Sequence, residues 1–157
     1  FDLASLKQRV AEMRKIADGK ADPRVTAWQA HVDLTHCHLS AITLMELDIG
    51  ILRLERRDIR QGTMLRHWLD QQVLRWFHSR ILPVDTAVAH HCARLHIPDP
   101  RPERDALIAA TALAHGMTVV TRNTVDFAGM GVPLINPWDT WTLQEARQGY
   151  AATQPSQ

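Results

Sequence analysis

The chain of 157 residues carries 18 Lys and Arg against 17 Asp and Glu, a formal charge of +1, with 45% hydrophobic and 22% charged residues. That length supports one domain with its own core, expected over residues 1–145, with 146–157 as a C-terminal tail. The even charge balance excludes a global pull on polyanions, no apolar run reaches the length of a membrane span, and two cysteines outside CxxC spacing point away from a disulfide or zinc framework, so a cytoplasmic location is expected.

In chain order, FDLASLKQRVAEMRK spaces Leu3, Leu6, Val10 and Met13 as on a helix, with Asp2 as its cap. DPRVTAWQAHV predicts a short helix capped by Asp22 and started by Pro23. HLSAIT reads as a strand running directly into the helix LMELDIGILRLERR. TMLRHWLDQQVLRWFHSR predicts a strongly amphipathic helix with Leu65, Trp68, Leu69, Val73, Trp76 and Phe77 on one face. ILPVD is a short strand, TAVAHHCARLHI a helix closed by the proline loop PDPRP, and ERDALIAATALAHG a helix ending on Gly116. MTVVT and VPLINPW supply two further strands, with Trp138 closing the second, and TWTLQEARQGY a closing helix. Short apolar strands alternating with longer helices predict an α/β fold, a doubly wound parallel sheet flanked by helices.

Ligands of such sheets gather at the carboxyl ends of the strands. Glu46 lies where HLSAIT becomes helical, Asp105 in the first turn of ERDALIAATA, and Asn123 and Asp126 just beyond TVVT, so all would face one rim. Oxygen donors in that arrangement suit Mg²⁺ or Mn²⁺, which could activate water and neutralise a phosphodiester. The competing reading is structural: TLME at residues 43–46 and NTVD at residues 123–126 match helix capping boxes, and Asp105 would meet a helix dipole. The histidine pairs in HCH and HHC lack a second pair at ligand spacing, although His36 and His38 would share a face in a strand. RLERRDIR, with Arg53, Arg56, Arg57 and Arg60, reads as the solvated face of a helix.

LSAITLMELDIGI resembles the SAITxxELxxG segment of PIN-domain toxins of the VapC and FitB kind. RILPVD, ERDALIAATALAHGMTVVTRNTVDF and GVPLINPW continue the resemblance in the family's order, over residues 11–138. It implies a metal-dependent ribonuclease, usually dimeric and held inactive by a cognate antitoxin, that hydrolyses RNA phosphodiesters with Mg²⁺ or Mn²⁺. Glu46, Asp105 and Asp126 would serve the metal and Asn123 would complete the catalytic set. Thr121 would line the site and Arg122 would meet substrate phosphate.

The resemblance fades at the start of the chain. The family opens with a buried strand of the type LDTNVxSE, whose aspartate is a metal ligand. Aligning AEMRK at residues 11–15 with the continuation SExRK sets Leu6, Lys7 and Gln8 where Asp, Thr and Asn are expected, leaving Asp2 as the upstream carboxylate. Lys7, Gln8 and Arg9 do not suit a strand covered on both faces, so the expectation is a helical N-terminus and a sheet whose first, central strand is missing or distorted. The alternative function is a catalytically impaired PIN-like protein that keeps its dimer and antitoxin surfaces.

Overall fold

A computed structural model describes Lys15 and residues 20–139. Asp2, the expected N-terminal helix, the expected loss of the inner strand and the closing helix all lie outside the described residues. In chain order the elements are α1 (Pro23–Gln29), a 3-10 turn (Leu34–His36), β1 (Leu39–Ser40), α2 (Ala41–Glu55) and α3 (Ile59–Trp68). A π-helical turn (Leu69–Val73) leads from α3 into α4 (Leu74–Trp76), followed by β2 (Ile81–Leu82), α5 (Thr86–Leu95), α6 (Glu103–Ala114) and β3 (Val119–Val120). A second 3-10 turn (Val125–Phe127) and β4 (Leu134–Ile135) complete the described residues. This is the α/β alternation the sequence requires.

The chain divides into two compact units, one containing His38–Leu82 and the other Asp22–Cys37 with the chain from Pro83 onward. In the first, β1 and β2 run parallel, with Leu39 opposite Ile81 and Ser40 opposite Leu82. The strand expected through Thr43 stops at Ser40, because the Ser40 hydroxyl accepts the Thr43 amide at 2.9 Å and starts a helix there. The preference of Ile42 and Thr43 for strands is overridden by that cap and by burial of Leu47 and Ile51.

Leu47, Ile51, Leu65, Leu69 and Val73 form the core between α2 and α3. Gly62 lets the two helices close on backbone: a Cβ there would lie 2.6 Å from Glu55 Cα. On the rim, Arg66 spans Asp48 and Glu55, with Nε 3.2 Å from the Glu55 carboxylate. The two carboxylates hold the Arg66 guanidinium proton more tightly than usual, Glu55 most and Asp48 next.

Trp76 was expected on the apolar face and is instead 65% exposed. The cause is the π turn, in which the Leu74 amide reaches back five residues to the Leu69 carbonyl. One extra residue per turn puts everything downstream one position late. Leu74 and Phe77, and not Trp76, pack against the core.

In the second unit, β3 and β4 also run parallel, Val119 opposite Leu134 and Val120 opposite Ile135. Ala109, Ala112, Phe127, Met130 and Val132 pack around them. α1 begins as expected, with Asp22 accepting the Arg24 amide at 2.9 Å ahead of Pro23. Asp85 caps α5 through the Val88 amide. α6 stops before Gly116, whose φ of +63° suits a residue without a side chain. His36 lies in the 3-10 turn, 3.2 Å from Asp33, and not in the strand that would have aligned it with His38. No described helix is long and apolar enough to cross a membrane.

Candidate functional site

Glu46 stands in the second turn of α2, in the first unit, and is 7% exposed. The capping reading fails for it. The cap is Ser40, whose hydroxyl accepts the Thr43 amide and is also 2.9 Å from the Thr43 hydroxyl, so the helix starts three residues before the position that Glu46 was read to cap. A carboxylate is seldom buried without a specific use for its charge.

The other three positions belong to the second unit. Asp105 occupies the first turn of α6 and is 8% exposed. The cap position is Pro102, which offers no side-chain bond, so Asp105 is favourably placed for the helix dipole. Asn123 and Asp126 meet directly, the Asn123 amide donating to the Asp126 carboxylate. The box expected at residues 123–126 is not a cap: Thr124 holds the cap position of the 3-10 turn and makes no side-chain cap bond. Thr121 supports the same loop, its hydroxyl accepting the backbone N–H of Asn123 at 3.1 Å.

Arg122 is exposed beside these residues. Its charge contributes to a local field in which the Asp22 carboxyl is lowered to about 2, chiefly by its hydrogen bonds from Arg24 and to a smaller extent by Arg122 itself. A cation next to the loop after β3 would meet an anionic ligand there. Thiol chemistry has no comparable support, since burial pushes the Cys92 thiol up, with the nearby Glu103 adding to the effect.

Two residues of this region were not singled out from the sequence. Asn136, just after β4, accepts the Trp138 amide at 3.1 Å and donates to Asp139 at 2.7 Å. The Asn-Pro pair at 136–137 was a usable turn signal for it. Arg101, in the proline loop, reaches the carbonyl of Ala128, a contact across 27 residues that no local pattern announces.

Oxygen donors alone, carboxylate and amide, suit a hard divalent cation that keeps much of its water. Among the described residues no group of three or more His, Cys, Asp or Glu is gathered to hold a metal ion.

Parallel strands with polar side chains following their carboxyl ends define an α/β domain of the kind that binds its ligand at the strand ends. The chain belongs to the PIN family: the PIN domain model matches residues 15–131. It is 37% identical over 120 residues to Toxin FitB of Neisseria gonorrhoeae, covering 73% of this chain and 85% of FitB. It is 35% identical over 127 residues to VapC ribonuclease Y4jK of Sinorhizobium fredii, covering 76% of this chain and 89% of that one. Its fold matches a chain in the crystal structure of FitAcB from Neisseria gonorrhoeae with a TM-score of 0.73 at 32% identity, covering 83% of this chain and 96% of that chain.

Proposed function

We propose that this protein is the toxin of a toxin-antitoxin pair and acts as an endoribonuclease that hydrolyses RNA phosphodiesters with Mg²⁺ or Mn²⁺. The family resemblance assigns the ion to Glu46, Asp105 and Asp126, and Asn123 would complete the catalytic set by fixing the Asp126 carboxylate through its amide. The bound ion would supply charge neutralisation at the phosphodiester and a water acidic enough to attack it. Thr121 holds the Asn123 backbone in place. The exposed guanidinium of Arg122 meets a phosphate of the RNA. The working form is a cytoplasmic homodimer, silenced by a cognate antitoxin protein; the likeness to Toxin FitB supports the antitoxin partner.

The observation that carries the proposal is Glu46, a buried carboxylate one turn beyond the residues that cap its helix, in a chain whose relatives include a named ribonuclease. A second reading, a catalytically impaired member that retains its dimer and antitoxin surfaces, is favoured by Leu6 at the place of the family's first aspartate. The deciding experiment is cleavage of RNA by the full chain with Mn²⁺, beside the Asp105→Asn variant and the triple variant Leu6→Asp, Lys7→Thr, Gln8→Asn. Cleavage that Asp105→Asn abolishes supports the enzyme. Absence of cleavage in the native chain, with cleavage in the triple variant, supports the impaired member. Absence from both refutes the enzyme reading.

A further inference from the structure

The loop from Thr121 to Gly129 carries Asn123 and Asp126, and side chains from outside the loop hold it at two points. Near its start, the Asn136 amide donates to the Arg122 carbonyl at 3.5 Å. Near its end, Arg101 Nη1 donates to the Ala128 carbonyl, also at 3.5 Å. Gly129 makes the second approach possible. Its φ is +75°, and a Cβ there would come within 3.3 Å of Arg101 Nη2, so a side chain would press on the guanidinium.

Both clamps are themselves fixed. Asn136 is locked in its turn by the Trp138 amide and by Asp139. The Arg101 amide donates to His96 Nδ1 at 3.2 Å, which ties the base of the arginine to the end of α5. Arg101 also lies two residues before α6, beside its Pro102 cap and four residues ahead of Asp105. One side chain thus links the segment that starts the Asp105 helix to the segment that ends the Asp126 loop, inside a single compact unit.

We infer that Arg101 and Asn136 are positioning residues: they set the Asp126 carboxylate and Asn123 amide relative to Asp105 without touching the substrate. The inference rests on the proposed nuclease reading for its consequence, and on the loop contacts alone for its structural content. A misplacement of about 1 Å at a reacting group is enough to cost about a hundredfold in rate, so weak contacts far from the chemistry can matter when they fix geometry.

The test uses the full chain with Arg101→Met, Arg101→Lys and Asn136→Asp. The lysine keeps the charge but not the planar fork, and the aspartate keeps the acceptor for Trp138 but loses the donor to both Arg122 and Asp139, whose carboxylate it would then repel. Hydrogen exchange should speed up at least tenfold at the amides of Phe127, Ala128 and Met130 in Arg101→Met, with Val119 in the β3–β4 ladder unchanged. In RNA cleavage with Mn²⁺, kcat should fall at least tenfold at constant KM in Arg101→Met and Asn136→Asp, with Arg101→Lys recovering less than half. Equal acceleration at Val119 would mean global destabilisation and overturn the inference, as would unchanged loop exchange. A raised KM at constant kcat would also overturn it, by making Arg101 a direct RNA contact. If the native chain cleaves no RNA, the nuclease reading fails by itself, and the exchange measurement still decides whether the clamps hold the loop.

Discussion

Gly62→Ala places one methyl group between the end of α2 and the start of α3. The new Cβ would meet Glu55 at 2.5 Å from Cγ, 2.6 Å from Cα and 2.7 Å from the amide nitrogen. Two of these three atoms are backbone and cannot swing aside. Carbon contacts settle at roughly 3.5–4.0 Å, so the helices must part by about 1 Å. Overpacking of this kind costs about 1–3 kcal/mol, and a backbone obstacle puts it near the upper end. Alanine returns about 1 kcal/mol through helix propensity, leaving a net loss of about 2 kcal/mol. For a chain of this size the melting temperature should fall by about 4–8 °C. Thermal unfolding followed by circular dichroism measures this, with urea unfolding at unchanged m-value as the check that only stability moved. A variant that melts at or above the native temperature would refute the close approach of α2 and α3.

Arg66→Met removes the bridge from α3 to Asp48 and Glu55 and keeps the aliphatic stem. For two partly exposed pairs the expected loss is about 0.5–1.5 kcal/mol in urea unfolding, and the difference from the native protein should shrink in 1 M NaCl. Asp22 has its folded pKa depressed from 3.8 to about 2, so its contribution is present above about pH 4 and is lost as the pH falls toward 2. The stability profile of Asp22→Asn should accordingly be flatter than the native one between those values, and parallel profiles would contradict the Arg24 pairing. Asp105→Asn should lower Mn²⁺-dependent RNA cleavage at least about a hundredfold while changing stability by less than about 1 kcal/mol, the scale of a helix-dipole interaction. A loss of stability without any change in cleavage would return Asp105 to the dipole role.

Local chemistry made part of this molecule readable. Asp22 and Pro23 specify the start of α1 within a few residues, and Gly116 marks the stop after α6. The acidic positions stand out in the sequence because strand ends are where such folds bind, and Asn123 and Asp126 do meet. Misreadings arose where two local rules competed. Ser40 and Thr43 both offer a hydroxyl near the start of α2, and the bond that decides between them is invisible in the residue pattern. Trp76 fits an α-helical period that the chain abandons at Leu69. Arg101 and Asn136 act across 27 and 14 residues, on backbone carbonyls, which carry no signature of their own in a sequence.

The π turn has a consequence for how this helix tolerates changes in length. Removing a residue from an ordinary helix turns everything beyond it by about 100° and scrambles the buried seam. Between Leu69 and Leu74 the chain already carries one residue more than an α-helix needs. Deleting exposed Gln71 would let the turn relax to α-helical winding, with the Leu74 amide still bonded to the Leu69 carbonyl and Phe77 still facing the core. The segment is therefore a place where a relative one residue shorter can share the same packing, and where an apparent alignment gap inside a helix marks no break in the fold.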